Sequence, residues 1–286
     1  MTIIELTNKH LNKISLELSK GTYEHYKSHY QHFINYCKAN DIIKAEDITE
    51  ENLSRYIREM KNKCSNRTIN MRIGNLQRCF KTFGIRFEYL ESLPKLKQRL
   101  ITYDFIDLPD IRRMRSYFYA LPETEENLFQ VATFLILMET GCRRSELLNI
   151  QKNNIDFKNN MIIFTTTKTD EDRMVPFKEK TATILWKLYN QKHDHKFLLH
   201  NPLKNRPINK DDLEYMMRKY KSIFGLNKLH AHMFRHSFAT HFIEAGADRK
   251  TVQSMTGHRD AKSLDRYVHV RRDFVLKTYH DKFILD

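Results

Sequence analysis

The stretch HAHMFRHSFATHFIEAG occupies residues 230–246 and contains no helix breaker before its final glycine. Within it, His232 and Arg235 are three positions apart, so a helix would place them on the same face. His258 follows Arg235 by 23 residues, and Tyr267 follows His258 by nine. The stretch therefore predicts a helix whose basic face acts together with residues further along the chain.

A second informative string lies upstream. TGCRRSELLNI, residues 140–150, places Arg143 three residues before Glu146. Two guanidinium groups, such as those of Arg143 and Arg235, can fork onto the non-bridging oxygens of one phosphate. Histidines can donate hydrogen bonds or transfer a proton, and a tyrosine can attack phosphorus to form a covalent intermediate. Together these residue types predict chemistry on a phosphodiester.

The charge of the chain indicates a polyanionic partner. Its 286 residues include 49 Lys and Arg against 35 Asp and Glu, a net charge of +14. An excess of this size favours DNA, RNA or an acidic membrane surface. No apolar run is long enough for a transmembrane helix, and the first ten residues lack the pattern of a signal peptide.

Glycine and cysteine patterns exclude several functional classes. None of the 7 glycines belongs to a Rossmann or Walker-type nucleotide motif. The 4 cysteines are widely spaced, which indicates neither a zinc knuckle nor a disulfide framework. Free thiols are typical of a reducing cytosol, so we expect a cytoplasmic protein. We expect Cys142, next to Arg143, to be a small buried residue.

Apolar periodicity predicts four short helices in residues 1–93, followed by a linker over residues 94–107 that begins with Pro94. We expect Thr22, Thr49 and Ser65 to begin the last three of these helices. Residues 55–113 contain 14 basic and 6 acidic residues, which fits either a solvated helix face or a basic track around a ligand. The apolar stripes are Leu6, Leu11, Ile14 and Leu18; Tyr23, Tyr26, Tyr30, Phe33 and Cys37; Leu53, Ile57 and Met60; and Ile69, Ile73, Leu76 and Phe80.

Residues 108–286 are predicted to form a second, mixed domain. Helical patterns cover residues 109–120 and 125–139, and the chain is again helical from about Lys178 onward. Between them, strand-like pieces at residues 155–157, 161–166 and 173–177 are separated by polar turns. The predicted fold class is therefore mainly α with one small antiparallel β-sheet.

Three strings together make a family resemblance specific: TGCRRSELL, HMFRHSFATHFIEAGAD and GHRDAKSLDRYVHV. With these strings the chain resembles the tyrosine recombinases of the phage-integrase family, and its size is similar to that of the two-domain Xer-type enzymes. The resemblance covers nearly all of residues 108–286, and its domain order fits residues 1–107. It implies an N-terminal four-helix, SAM-like core-binding domain, followed by a mixed α/β catalytic domain.

The resemblance also implies roles for individual residues. Arg143 matches the arginine that clamps the scissile phosphate, and Tyr267 matches the nucleophile. Lys168, counted back from the strand RMVPF, matches a hairpin lysine that protonates the departing 5′-oxygen. The implied catalytic set is Arg143, Lys168, His232, Arg235, His258 and Tyr267, with Glu146 in a supporting role.

The chemistry accounts for such a set. A free tyrosine has a pKa of about 10, so its phenol is a poor nucleophile at neutral pH. Guanidinium groups and a nearby imidazole would favour the phenolate and stabilise charge on the pentavalent phosphorus. A 3′-phosphotyrosine bond would conserve the phosphodiester energy, so the reaction would need neither ATP nor metal. The resemblance thus implies an enzyme without a cofactor.

The resemblance also describes the partners. They are double-stranded DNA with an inverted-repeat core site and further copies of the chain, as a dimer and then a tetramer on DNA. Accessory DNA-bending or directionality proteins are common among relatives. We therefore expect association with the nucleoid, without a membrane partner. Candidate DNA-binding residues of the first domain are Tyr23, Lys27, Thr68, Arg72 and Arg78.

The C-terminal tail has a helical apolar stripe formed by Phe274, Val275, Tyr279 and Phe283. Two interpretations of this stripe stay open. The tail docks either on its own domain or, as the resemblance implies, on a neighbouring subunit.

The remaining histidines suggest a metal at first sight. His230 and His232 form a His-x-His pair, as do His193 and His195, but no carboxylate stands at ligand spacing beside them. We therefore expect no metal site, with His193, His195 and His230 exposed to solvent. His236 and His241 are expected to be core or capping residues.

Three other functions stay open at this point. A type IB topoisomerase uses a similar set of residues but rejoins the same strand without sequence preference. A catalytically silent DNA-binding regulator would keep the fold without the reaction. A histidine-metal nuclease would lose its activity in a chelator.

Overall fold

The computed structural model describes residues 1–97, 104–165, 172–191, 193 and 196–257. Within these ranges the protein is mostly helical, with a three-stranded and a two-stranded antiparallel sheet. The predicted fold class is confirmed, although only one of the two sheets was expected. The chain divides into two compact units, Met1–Leu100 and Ile101–Asp286. No helix in the described ranges is both long and apolar enough to cross a membrane.

The first unit consists of helices whose starts are set by side-chain caps. Thr49 and Ser65 cap their helices as predicted, with their hydroxyls accepting from the N–H groups of Asn52 and Thr68. The prediction for Thr22 is wrong, because the helix begins earlier and Ser19 occupies the N-cap position. The helices are α1 (Ile3–Ser15), α2 (Lys20–Ala39), α3 (Glu50–Lys61), α4 (Asn66–Thr82) and the unpredicted short α5 (Glu88–Ser92).

The core of the first unit is built from the predicted apolar stripes. Tyr30, Phe33 and Tyr56 are among its largest fully buried side chains. The Tyr30 hydroxyl lies 2.8 Å from His10 Nδ1, so the buried phenol keeps a polar partner. Aromatic side chains bury a large area each, which lets a small helical unit form a stable core.

Both described ends of the predicted linker are hydrogen-bonded to the unit that each adjoins. The Asn70 amide donates to the Leu96 carbonyl at 2.9 Å and accepts from the Leu96 N–H at 3.0 Å. At the other end, the N–H of the buried Ile106 donates to Ser237 Oγ at 2.7 Å. Single polar contacts of this kind leave no periodic pattern in the sequence, so the sequence predicted a linker but not the hydrogen bonds at its ends.

The second unit alternates helices with short strands. The three-stranded sheet has the order β1-β2-β3. Phe164 of β2 lies opposite Arg173 of β3 in the antiparallel pairing of these two strands. The expectation of continuous helix after Lys178 is wrong, because two 2-residue strands interrupt it. The elements are α6 (Leu108–Ala120), α7 (Glu125–Thr140), α8 (Arg144–Leu148), β1 (Ile155–Asp156), β2 (Met161–Phe164), β3 (Arg173–Pro176), α9 (Glu179–Tyr189), β4 (His200–Asn201), β5 (Arg206–Pro207), α10 (Lys210–Ile223), α11 (Ala231–Glu244) and α12 (Arg249–Thr256).

Helix α7 is the central element of this unit and is buried on nearly all sides. It ends at Gly141, whose φ of 56° lies in the left-handed region that glycine adopts without strain. A Cβ atom at Gly141 would lie 2.8 Å from Cγ of Phe238 on α11. This glycine therefore lets α7 stop against α11, immediately before the string that contains Arg143.

Candidate active site

Arg143 is the N-cap residue of α8, and its geometry is fixed by Glu146. The Arg143 N–H donates to Glu146 Oε2 at 2.6 Å, and its Nη1 donates to Glu146 Oε1 at 2.8 Å. A carboxylate at the third position of a helix commonly returns to the N-cap backbone in this way. The side chain of Arg143 is 34% exposed, whereas that of Glu146 is only 5% exposed. The helix start thus presents a charged guanidinium to solvent while burying the carboxylate that holds it.

The buried Glu146 carboxylate is kept ionised by its neighbours. Burial by itself would raise its pKa, because water no longer stabilises the charged form. The charge of Arg173, the hydrogen bonds from Arg143 and Arg173 and the charge of Arg143 outweigh that effect and hold the pKa of Glu146 below its usual range. A charged carboxylate therefore stays between two arginines at neutral pH.

Arg173 is a component of this cluster that the sequence interpretation did not single out. It lies on β3, its side chain is 6% exposed, and its Nη2 donates to Glu146 Oε2 at 2.6 Å. Its guanidinium also stacks 4.4 Å above the ring of Phe164. One signal was available, because strand alternation puts Arg173 on the buried face with Val175 and Phe177.

The carboxyl end of α12 is attached to both arginines. Arg143 Nη2 donates to the carbonyl of Gly257, and Arg173 Nη1 donates to the carbonyl of Met255. Gly257 has a φ of 65°, and a Cβ atom there would lie 2.9 Å from Arg173 Cδ and 3.3 Å from Arg143 Nη1. Only a glycine lets the end of this helix come so close to the two guanidinium groups.

Arg235 and His232 come to the same region from α11. Arg235 is 3% exposed, and its Nη1 donates to the Gly141 carbonyl at 3.1 Å, which ties it to the turn before Arg143. His232, three residues earlier, is exposed to solvent. Partial loss of water around its ring and the charge of Arg235 lower the pKa of His232, with smaller effects from His230 and Arg143. The imidazole is therefore neutral at pH 7 and able to accept a proton.

An open groove of about 670 Å³ runs beside these residues. Arg143 and His232 line it together with Arg144 and Arg218, so its wall is strongly basic. Glu214 also lines the groove and lies 3.7 Å from Arg144. A basic, open groove of this kind suits an extended anionic ligand better than an enclosed small molecule.

The structure thus brings four of the predicted site residues together: Arg143, Glu146, His232 and Arg235. Lys168, His258 and Tyr267 lie outside the described residues, as does the C-terminal stripe from Phe274 to Phe283.

Other predicted features are placed as follows. Cys142 is fully buried as predicted, and burial raises the pKa of its thiol to about 12. His230 is exposed as predicted, whereas His195 lies outside the described residues. The prediction of an exposed His193 is wrong, because its ring is half-buried and stacks on His200 with the ring centres 4.7 Å apart.

His236 and His241 occupy packed positions, in line with their expected structural roles. His236 is 7% exposed within α11. His241 Nε2 lies 2.8 Å from the Ile106 carbonyl, which attaches the second half of the predicted linker to α11.

Three of the five candidate DNA-binding residues of the first unit line two separate grooves. Tyr23 and Lys27 line a groove between α1 and α2, and Tyr23 packs against the core. Arg78 lines a larger groove of about 980 Å³ formed by α2, α4 and α5, and it donates to the Tyr26 hydroxyl at 2.6 Å.

Two further candidates of the first unit make local contacts. Arg72 is half-buried and donates to Cys64 Sγ at 3.3 Å. The Thr68 hydroxyl lies 3.0 Å from that of Ser65, so it takes part in the cap of α4.

The arrangement in the second unit can bind and polarise one phosphate group. A guanidinium has five N–H donors, so the two side-chain contacts of Arg143 with Glu146 and Gly257 do not use all of them, and Arg143 also lines the groove. Two arginines and a neutral histidine can stabilise charge that grows on phosphate oxygens and accept a proton from an attacking hydroxyl.

Sequence families match both parts of the chain. The phage integrase family matches residues 116–273, and the phage integrase SAM-like domain matches residues 2–100. The chain belongs to the phage integrase family. It is a tyrosine-type site-specific recombinase, as the sequence motifs predicted, and the similarities do not favour a type IB topoisomerase.

Individual relatives agree with this assignment. A probable integrase/recombinase of Acholeplasma phage L2 is 25% identical over 270 residues, which are 92% of this chain and 93% of that protein. Tyrosine recombinase XerC of Staphylococcus aureus strain JH9 is 33% identical over 163 residues, 55% of this chain and 54% of that protein. The fold resembles that of the XerH site-specific recombinase bound to palindromic difH substrate, with a TM-score of 0.75 and 18% identity over 91% of this chain and 80% of that one.

Proposed function

We propose that this recombinase cleaves one strand of double-stranded DNA by attack of the Tyr267 hydroxyl on a phosphodiester, forming a 3′-phosphotyrosine bond. The 5′-oxygen of the next nucleotide leaves and takes a proton from Lys168. A 5′-hydroxyl from a second DNA end then attacks the phosphotyrosine, which restores a phosphodiester and frees the tyrosine. The number of phosphodiester bonds is conserved, so no energy source is needed.

The observation that carries this proposal is that Arg143 and His232 line one basic groove, while the buried Arg235 is bonded to the turn just before Arg143. Arg143 stands at the helix start that borders the groove, and Arg235 is tied to the preceding turn through the Gly141 carbonyl. Residues at the start of α8 and on α11, which are far apart in the sequence, therefore lie in one basic region.

We assign separate roles to the basic residues around the phosphate. Arg143 and Arg235 bind the non-bridging oxygens and stabilise the charge that develops in the transition state. His232, whose pKa is lowered, accepts the phenol proton as the tyrosine attacks. His258 donates a further hydrogen bond to the phosphate.

Double-stranded DNA is the partner that the net charge of +14 and the basic groove favour. We propose an inverted-repeat core site, each half bound by one protomer, with two dimers pairing for strand exchange. The XerH recombinase, whose fold is similar, is bound to a palindromic substrate, and this supports the proposed symmetry. We further propose that the protein works in the cytoplasm on nucleoid DNA and that an accessory DNA-bending or directionality protein assists it.

The larger groove of the first unit, which Arg78 lines, is a candidate for a second contact with the duplex. Its lining includes Lys81, Arg86 and Lys95 together with Arg78, so four cations border one cleft. We propose that this cleft binds the DNA backbone, because lysine and arginine on phosphates supply affinity with little sequence preference.

A covalent-trapping experiment tests the proposed reaction. The protein is incubated, in a chelator, with nicked duplexes made from the DNA that flanks its own gene, and adducts are resolved on a denaturing gel. We expect one discrete protein–DNA adduct for the wild type and none for Tyr267→Phe. Tyr279→Phe is the matched control and is expected to form the adduct.

Other results would contradict the proposal in different ways. An adduct that persists in Tyr267→Phe would assign another nucleophile. Adducts scattered along any DNA would indicate a topoisomerase. Cleavage that a chelator abolishes would indicate a metal-dependent nuclease, and salt-sensitive binding without any adduct would indicate a silent regulator.

A further inference from the structure

We infer that Arg173 is a positioning residue for the reaction: it acts on the scissile phosphate through Arg143, although it does not touch DNA itself. The inference rests on the proposed function of the groove. The side chain of Arg173 is 6% exposed and lies beneath Gly257, so DNA in the groove has no access to its guanidinium.

Arg173 holds two elements with the two arms of one guanidinium. Nη2 donates to Glu146 Oε2 at 2.6 Å, and Nη1 donates to the Met255 carbonyl in the last turn of α12. The flat face of the group rests on the ring of Phe164, at 4.4 Å. A planar, forked cation is the side chain best suited to join a carboxylate to a carbonyl in this way.

The two groups that Arg173 contacts, the Glu146 carboxylate and the last turn of α12, also contact or adjoin the contacts of Arg143. Glu146 accepts from the backbone N–H and the Nη1 of Arg143, and the α12 end accepts from its Nη2 through the Gly257 carbonyl. Arg143 is therefore positioned by two supports, and Arg173 braces both of them.

Charge gives Arg173 a second effect on Arg143. The Glu146 carboxylate is shared between two guanidinium groups, at 2.8 Å from Arg143 Nη1 and 2.6 Å from Arg173 Nη2. If Arg173 were neutral, Arg143 alone would balance this buried charge. It would then have less positive potential to offer to a phosphate in the groove.

The inference predicts which part of the reaction Arg173 affects. Loss of Arg173 weakens the neutralisation of phosphate charge, but it does not affect protonation of the leaving group. Binding of DNA stays nearly unchanged, because the contacts outside the scissile phosphate remain. The defect therefore falls on the rate of cleavage in the bound complex.

Three versions of the nicked duplex separate these effects. The first has an ordinary scissile phosphate. The second has a methylphosphonate, which lacks one anionic oxygen and needs less neutralisation by arginine. The third has sulfur in place of the bridging 5′-oxygen, and the thiolate leaves without needing an added proton.

Five proteins are compared on these duplexes: the wild type, Arg173→Met, Arg143→Ala, Lys168→Ala and the matched control Met174→Ala. The control changes the neighbouring residue of β3, which is 62% exposed.

Adduct formation by Arg173→Met on the ordinary substrate is expected to be about a hundredfold slower than that of the wild type, as for a misplaced catalytic group. On the methylphosphonate, this deficit is expected to shrink by roughly tenfold or more, as it does for Arg143→Ala, because less charge needs to be neutralised. The sulfur substrate is expected to rescue Lys168→Ala but not Arg173→Met. Met174→Ala is expected to match the wild type on all three duplexes.

Two outcomes would overturn the inference. Equal deficits of Arg173→Met on all three substrates would mean that the residue only stabilises the fold. Rescue by sulfur alone would mean that it serves the leaving group. A wild type that forms no adduct would instead contradict the proposed function, so the two failures are distinguishable.

A second variant covers the case in which Arg173→Met does not fold because Glu146 is left with too little compensation. Arg173→Lys keeps the positive charge, but its single ammonium cannot reproduce the fork between Glu146 and the Met255 carbonyl. We expect a smaller deficit with the same rescue by methylphosphonate. The absence of that rescue in folded Arg173→Lys would also contradict the inference.

Discussion

Two buried carboxylates in the second unit have similar partners, but one is bonded to residues close in the sequence and the other to residues far away in the sequence. Glu146 is 5% exposed and pairs with Arg143 and Arg173, and Asp212 is 3% exposed and pairs with Lys204 and Arg206. Each also accepts a backbone N–H at a helix start, from Arg143 and Asn209 respectively. In both groups the neighbouring cations and hydrogen bonds outweigh burial and hold the carboxyl pKa below its usual range.

The two clusters differ in the sequence separation of their members. The partners of Asp212 lie 6 and 8 residues away, so this cluster ties one turn to the start of α10. Arg173 lies 27 residues from Glu146, and its other partner, Met255, lies 82 residues further along. The same ion-pair chemistry thus closes a local turn in one place, whereas in the other it joins three distant elements beside a basic groove.

Removing the 34% exposed arginine of each cluster gives the largest expected difference. Arg143 and Arg206 have equally exposed side chains, at 34% each, so Arg206→Ala is a matched control for Arg143→Ala. We expect Arg143→Ala to lower the rate of adduct formation by about 10²–10³-fold, the usual cost of losing a group that stabilises transition-state charge. Arg206→Ala should cleave like the wild type. Equal rates for the two variants would contradict the assignment of Arg143.

Neutralising the carboxylates themselves is the next test. Glu146→Gln leaves the buried Arg173 without its counter-charge, and we expect the free energy of unfolding to fall by about 3 kcal/mol. Asp212→Asn removes the counter-charge of Lys204 and Arg206. Asp212, whose partners are more exposed, should lose less. Chemical denaturation measures both losses, and adduct formation by the folded protein should fall only in Glu146→Gln.

The dependence of stability on acidic pH tests the ionisation of Glu146 further. A carboxyl whose pKa is lowered by folding stabilises the protein fully above its unfolded pKa of about 4 and loses that contribution as the pH falls through its folded pKa. We therefore expect the wild type to lose more stability than Glu146→Gln between pH 5 and pH 3. A parallel decline of the two proteins would contradict the lowered pKa of Glu146.

Two glycines that follow helices of the second unit provide a smaller effect. A Cβ atom at Gly141, which precedes Arg143, would lie 2.8 Å from Phe238 Cγ, whereas one at Gly225, just after α10, would have nothing within 4 Å. Both glycines have a positive φ, so alanine costs about 1 kcal/mol of backbone strain at either position. We expect Gly141→Ala to cost about 2 kcal/mol more than Gly225→Ala, because the new methyl group meets the Phe238 ring. Thermal or denaturant unfolding would show equal losses if that close approach did not exist.

The smallest expected effect is on the pH dependence of the free energy of unfolding, through His236 on α11. Burial, aided by the charges of His232 and Arg235, lowers the pKa of His236 to about 4. A histidine with a lowered folded pKa stabilises the protein above its unfolded pKa of about 6.5 and loses this contribution as the pH falls toward 4. Between pH 7.5 and 5.5 the wild type should lose about 1 kcal/mol more than His236→Asn. Identical pH profiles would show that His236 does not titrate differently on folding.

The sequence predicted the parts of the molecule that depend on local patterns. Helical patterns placed α6 and α7 to within one residue at each end, and Thr49 and Ser65 capped α3 and α4 as expected. Arg143 and Glu146 were linked by their spacing of three, which the structure realises as one helix start. The family strings likewise placed His232 and Arg235 on one helix, α11.

Features that depend on distant contacts were missed. Arg173 had only one signal, a charged residue on the buried face of a strand, and its partners on α8 and α12 cannot be found from spacing. The strands β4 and β5 have two residues each, too few for any period to be visible. Ser19 and Thr22 are both of residue types that cap helices, so their identities alone did not distinguish the two possible helix starts.

The most direct test of the account is to identify the amino acid that carries the DNA. The covalent adduct formed in a chelator by the wild type is digested with nuclease and protease, and the nucleotide-bearing peptide is sequenced by tandem mass spectrometry. The account predicts a single modified peptide with the nucleotide attached through phosphate to Tyr267. A nucleotide on any other residue, or a cleaved strand without a protein adduct, would contradict it.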